Sequence, residues 1–496
     1  MKQKKFFLPL IFWLLVFVLF WIKGESFLDP DFGWHWKMGE LILSKGIPKT
    51  DPFSYTMPSF PFVDHEWLTN VAIYQLDKMV GWQGLVFFFV IIGLLSLVVA
   101  GSGFRGKSHL RIFKLSLFVL GVGAILPFFG VRPQVLSWFF LALWLKVILN
   151  DKLFEKYFLF LPIFMLIWAN LHGSFAVGIF CLELVLGAKF WQKKKLAGKE
   201  IFCLIFCLGA TFVNPYGARL WGEVWQQISD ANLRFRIAEW QPSFFKPIFP
   251  YLFFVSLGFF IYVFRRKITL EKIFLFLFFL IQSLLSLRHV PLFVIVALPI
   301  CLESLECLYQ RVARIKYGLK RWRKAAWGMF FLCFLVAGVE AFFVLREEKI
   351  FTESNYYPMA AVLFLRQNLP EGNLFSSYNW GGYLIWKLPE KKVFIDGRMP
   401  SWRWKADLPG ESNNAMEDYV KMLEDKEKLA EILDKYQISK VLWFNEKREK
   451  EGWLGKILAR FFGQQKERLV MGEFLEERGW KKEYQDEVAV VWGRED

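Results

Sequence analysis

Eight residues near the start of the chain, Asp29-Pro30-Asp31-Phe32-Gly33-Trp34-His35-Trp36, place two carboxylates and an imidazole just beyond a long apolar run. A carboxylate there can take the proton from an attacking hydroxyl. It can also stabilise positive charge developing at a sugar carbon. As a pair, Asp29 and Asp31 could instead hold a divalent cation such as Mg or Mn, which prefers oxygen ligands. Further polar groups recur beside other apolar runs: Asp64-His65-Glu66, Arg132, Asn170-Leu171-His172-Gly173, Asn214, Glu239-Trp240 and Arg288-His289. Arginine forks and imidazoles suit a departing phosphate. Together these types suit group transfer from a lipid-linked phosphate donor.

The elements that must position them are membrane helices. The chain has 496 residues, 55% hydrophobic, yet 22% charged, so its composition is heterogeneous. About 11 apolar stretches of spanning length run from Phe6–Ile22 to Ala325–Leu345. The expected architecture is a mainly α, polytopic membrane protein over residues 1–345, with a first outer loop at 23–81. Residues 346–496 are expected to form a soluble α/β domain. That tail holds 25 basic and 27 acidic residues, so the net +16 of the whole chain belongs to the membrane part. The excess sits in short loops and reads as a topology signal, which argues against a nucleic-acid partner. The six cysteines all fall in apolar segments and imply no disulfide framework.

With the N-terminus cytoplasmic, the basic runs Arg105–Lys107, Lys193–Lys195, Arg265–Lys267 and Arg311–Lys324 all fall inside. The C-terminal domain is then extracytoplasmic, and His35, His65, His172 and His289 share its side, as do Arg132 and Arg288. Ionisable groups gathered at one membrane face are functional by default. The blander readings are local: Asn214 or His172 marking a tight turn, and Trp residues anchoring at the interface. In the first loop, Trp34–Lys45 has helical spacing and stops at Gly46, and Asp64 is expected to cap a second helix through Trp67 and Met79. Both are expected along the membrane surface, as is a helix over Leu220–Ile228. The tail is expected to hold strands at Lys392–Ile395, Lys440–Phe444 and Val488–Trp492, and a helix at Lys426–Lys435.

The pattern Asp29-Pro30-Asp31, Trp34-His35, Thr50-Asp51-Pro52-Phe53-Ser54-Tyr55 and His65-Glu66-Trp67 resembles bacterial membrane proteins related to GT-C glycosyltransferases. Arg132-Pro133-Gln134, Asn214-Pro215-Tyr216-Gly217, Glu239-Trp240 and Asp396-Gly397-Arg398 extend the resemblance over most of the chain. It implies a polyprenyl-phosphate sugar donor, an outward active site, a glycan, lipid or protein acceptor, and an acidic base in the first outer loop. That base would be Asp31, with Asp29 second. Arg132, Arg288, His289 and His172 would meet the donor phosphate. His35, Asp64, His65, Glu66, Asn214 and Glu239 would line the substrate pocket. Asp396 and Arg398 could form an acceptor surface, or equally a structural ion pair, which the sequence favours slightly. The motif is Asp-Pro-Asp, where protein O-mannosyltransferases carry an Asp-Glu pair. Two other classes fit the same polar groups: a transporter or flippase of lipid-linked or envelope precursors, and a non-catalytic envelope scaffold. The missing inverted repeat weighs against transport.

Overall fold

A computed structural model describes residues 7–102, 108–230, 233, 237–244, 248–263, 269–315, 318–348, 352–445 and 470–494. The basic runs at 105–107 and 265–267 lie outside the described residues. By contacts the chain divides into two units. One comprises Met1–Phe27, Asp64–Thr69 and Leu76–Lys349; the other comprises Leu28–Val63, Asn70–Gln75 and Ile350–Asp496. Residues 28–63, expected with the membrane part, thus cluster with the C-terminal residues.

Each apolar stretch of the first unit coincides with a helix, from Phe7–Ser26 to Gly318–Glu348. Among the described residues, 6 helices are long and apolar enough to cross a bilayer, fewer than the eleven crossings expected. For four of the others the reason is length. A helix rises 1.5 Å per residue, so a span needs about 20 residues. Gly198–Ala210 has 13 residues and Pro133–Ile148 has 16. Leu110–Phe128 and Leu287–Val312 form the centre of the unit, 89% and 78% buried, whereas Lys320–Arg346 is only 17% buried and presents its side chains outward. The surface helix expected over Trp67–Met79 and the span expected from Trp82 are two arms of one helix, Trp67–Ala100. They are joined at Gly81, whose φ of 68° only glycine adopts readily.

The second unit is built on four strands: β1 (Asn373–Ser376), β2 (Ile438–Phe444), β3 (Lys481–Gln485) and β4 (Ala489–Gly493). Their order is β1-β2-β4-β3, with β1 and β2 parallel and the other two pairs antiparallel. The helix expected at Lys426–Lys435 has those limits, and Asp425 caps it through the N–H groups of Glu427 and Lys428. Lys392–Ile395 is not a strand. It makes one parallel bridge, Ser54 to Val393, in which Tyr55 N–H donates to the Val393 carbonyl at 3.1 Å and Val393 N–H to that of Phe53 at 3.0 Å. The segment before this bridge holds the helix Phe32–Lys45, stopped at Gly46 with φ 84°.

Candidate functional site

The first unit gathers one set of predicted residues around Glu66. The helix Trp67–Ala100 begins with Glu66 at its N-cap, two residues later than expected. Asp64 does not cap it; its Oδ1 accepts the Glu66 N–H at 3.0 Å, bending the chain into the helix. The turn Asn170–Gly173 is fastened to this entry by side chains. Trp67 Nε1 donates to Asn170 Oδ1 at 3.0 Å, and Thr69 Oγ1 donates to the Leu171 carbonyl at 2.5 Å. Asn170 Nδ2 in turn donates to the carbonyls of Leu166 and Val213.

Hydrogen bonds decide which imidazole nitrogen of His172 carries the proton. Ser174 N–H donates to Nδ1 at 3.0 Å, so Nδ1 is the acceptor. Ser137 Oγ also lies 2.9 Å from Nδ1, and Trp168 Nε1 donates to that hydroxyl at 3.0 Å. The proton therefore sits on Nε2, 3.1 Å from Glu66 Oε1. His65 Nε2 approaches the same oxygen at 3.4 Å. Burial would raise the Glu66 carboxyl, but His65 and His172 outweigh it and hold it well below the usual range. Burial would lower His65, and Glu66, Glu223 and Asp64 together raise it instead. For His172 burial wins, aided by His65 and Arg288, so its imidazole is held low and neutral despite Glu66. His172, expected on the donor phosphate, thus sets its Nε2 beside Glu66 Oε1.

Glu223 was not singled out by the sequence. It is buried on the inner face of the helix Arg219–Ser229 with Leu220 and Val224, and Gln227 Nε2 donates to it at 3.1 Å. Burial raises its carboxyl, only partly opposed by His65. Its burial left no signal in the sequence, because the apolar residues of this helix mark another face, on which Trp225 and Ile228 are exposed. Asn214 follows the blander reading: its Oδ1 accepts Tyr216 N–H at 2.8 Å and its Nδ2 donates to Thr211 and Gly217 carbonyls.

A second knot in the same unit surrounds the short turn Ala238–Trp240. Arg132 lies just before Pro133, which starts the helix Pro133–Ile148, and its Nη2 meets Glu239 Oε1 at 2.7 Å. The Arg288 guanidinium lies 5.3 Å from the Trp240 ring centre, and the His289 ring meets the same indole edge-to-face at 6.1 Å. The turn is held there by Leu287 N–H donating to the Gln241 carbonyl at 2.9 Å. Burial would raise the Glu239 carboxyl, but Arg132, Arg288 and Lys23 bring it below its ordinary value. Three groups expected at a phosphate are therefore brought together on one turn, around a carboxylate.

The second unit holds the acids of the opening motif. Asp29 Oδ1 accepts the Asp31 N–H at 2.8 Å, and Asp31 Oδ1 accepts Trp34 Nε1 at 3.0 Å. Asp31 stands at the N-cap of Phe32–Lys45, where the helix dipole favours a negative charge. Its carboxylate rests on Gly397: a Cβ there would fall 1.7 Å from Asp31 Oδ1. His35 Nδ1 lies 2.6 Å from Asn70 Oδ1. Asp396 and Arg398, considered for an acceptor surface, are buried as an ion pair. Arg398 Nε donates to Asp396 Oδ1 at 2.7 Å and Nη2 to Oδ2 at 2.6 Å, while Nη1 lies 2.8 Å from Asp51 Oδ1. Asp51, quoted in the motif without a role, is the third member. Trp34, Phe53, Phe62 and Trp402 enclose the guanidinium.

Asp29 Oδ1 and Asp31 Oδ1 each accept a local donor, and among the described residues no three His, Cys, Asp or Glu side chains gather around a common point.

No protein-family model matches the sequence, and no functionally curated protein matches it either. Solved structures do. The chain is similar to the archaeal oligosaccharyltransferase AglB of Archaeoglobus fulgidus in complex with an inhibitory peptide and a dolichol-phosphate. The TM-score is 0.55 at 11% identity, over 88% of this chain and 70% of that one. It is also similar to an Archaeoglobus fulgidus oligosaccharyltransferase in complex with zinc and sulfate, with a TM-score of 0.53 at 10% identity, over 88% and 68%. The chain shares the fold of these two oligosaccharyltransferase structures.

Proposed function

We propose that the protein is a membrane glycosyltransferase moving a sugar from a polyprenyl-phosphate donor to an acceptor outside the cytoplasm. The observation that carries this reading is a fold shared over 88% of the chain with an oligosaccharyltransferase that was solved with dolichol-phosphate. Residues 1–345 supply the multi-pass membrane part, N-terminus cytoplasmic, and residues 346–496 stand on the outer side of the cell membrane. Asp31 takes the proton of the acceptor hydroxyl as its oxygen bonds to the anomeric carbon, and the bond from that carbon to the donor phosphate breaks. Asp29 fixes the loop through the Asp31 N–H and is the second choice as base. Arg132 and Arg288 receive the departing phosphate, and Glu239 holds Arg132 in place until then. His65, Glu66 and Asp64 line the substrate pocket, with neutral His172 beside Glu66.

The test is Asp31→Asn in the purified full chain, given a labelled polyprenyl-phosphate hexose. Loss of a general base should lower sugar release by about 100-fold or more, with the unfolding profile unchanged. Full activity in this variant would remove Asp31 from the reaction.

A further inference from the structure

A cavity of about 140 Å³ opens in the first unit, lined by Lys146, Lys272, Glu303 and Asn150 on its polar side and by Leu145 and Ile295 among its apolar walls. It lies far from the Glu66 and Glu239 clusters. Helix Pro133–Ile148 starts next to Arg132 and carries Lys146 in its last turn. Helix Val290–Val312 starts next to His289 and reaches Glu303 late in its course. At 1.5 Å per residue, each path covers roughly 20 Å. Both helices thus carry the cavity at their C-terminal ends, the side on which the positive-inside rule places Lys193–Lys195 and Arg311.

We propose that this cavity binds a phosphate group, and that its apolar wall suits the phosphate of an anionic membrane lipid. Basic pockets between membrane helices on the cytoplasmic side take such head groups. Lys272 Nζ donates to Glu303 Oε2 at 2.7 Å, which uses one of its three N–H donors and leaves two. Lys146 is exposed at the rim and supplies the second ammonium. Pro299, also in the wall, has no N–H to give the Ile295 carbonyl four residues back. That carbonyl and the Asn150 side chain suit a hydroxyl-bearing head group such as phosphoglycerol. Glu303 is the opposing charge: it holds Lys272 in place and repels the phosphate, so it tunes the site downward.

The full-length protein in neutral detergent is mixed with phosphatidylglycerol or phosphatidylcholine of the same acyl chains, and bound lipid is counted by native mass spectrometry. A separate arm titrates inorganic phosphate alone. Phosphatidylglycerol should be retained over phosphatidylcholine, with Lys146→Gln and Lys272→Gln each weakening retention about fivefold. Glu303→Gln should strengthen it, a sign that a merely damaged fold does not produce. Saturable binding of inorganic phosphate with the same responses to the three variants, and no lipid preference, would assign the site to the free anion. Equal retention of the two lipids together with no phosphate binding, or insensitivity to all three variants, overturns the proposal.

Discussion

Gly397→Ala separates space from backbone conformation at the opening motif. Gly397 is not among the positive-φ residues, so alanine suits its backbone. The added Cβ, however, would fall 1.7 Å from Asp31 Oδ1 and 2.7 Å from Asp31 Cγ, where real contacts start near 3.0 Å. The carboxylate must withdraw by about 1.3 Å. It cannot do so for free, because the same oxygen accepts Trp34 Nε1 at 3.0 Å and the Asp31 N–H is tied to Asp29. Overpacking of this kind costs about 1–3 kcal/mol. A displacement near 1 Å costs a catalytic group about 100-fold in rate. Sugar release from a polyprenyl-phosphate hexose should therefore fall by about that factor while the protein remains folded, and Gly397→Ala combined with Asp31→Asn should add little to Asp31→Asn alone. Wild-type release by Gly397→Ala would refute the reasoning, because the carboxylate would have moved without consequence.

Two further outcomes concern stability. Arg398→Met leaves Asp51 and Asp396 buried without their partner, and breaking a buried pair this way costs about 3–5 kcal/mol; limited proteolysis should show the C-terminal unit opening first, and an unchanged digestion pattern counts against the assignment. The His65, Glu66 and His172 cluster predicts two limbs in a plot of unfolding midpoint against pH. Glu66, held below its ordinary 4.5, stabilises above that value and loses its contribution as pH falls through its lower folded value. His65, raised above 6.5, contributes fully below that value and loses it as pH rises through its higher folded value. His172, held below 6.5, adds to the acid-side loss because it resists protonation. His65→Gln should flatten the alkaline limb and also shrink the acid limb, because His65 is the main group holding Glu66 low; an unchanged alkaline limb would sink this account.

Helices were legible because each writes its own period. Phe32–Lys45 and Lys426–Lys435 could be read from local spacing, and Gly46 from the conformation that a helix stop requires. Partners were not legible where tertiary packing chooses them. Asp64 and Glu66 are both plausible caps, and only the fastening of Asn170 and Leu171 to Trp67 and Thr69 decides between them. Asp51 and Asp396 are far apart in sequence, and nothing local pairs both with Arg398. Strand β3, Lys-Lys-Glu-Tyr-Gln, lies exposed at a sheet edge and has no apolar alternation to betray it. The contact of His35 Nδ1 with Asn70 was equally invisible, since no local spacing points to a partner 35 positions away.

The bond from Thr56 Oγ1 to the Phe394 carbonyl joins residues 338 positions apart, and the hydroxyl of Ser59 meets Glu411 across 352. A ribosome adding about 5–20 residues per second needs roughly 17–70 s to traverse that distance. Throughout that interval the segment carrying Asp29 and Asp31 lacks the surface that gives it shape. The nascent protein thus carries its acids through almost the whole of synthesis before the last third of the chain arrives to set them. A chain released early would deliver its apolar helices with the Asp29–Asp31 segment still lacking its partners, so this segment takes its shape last.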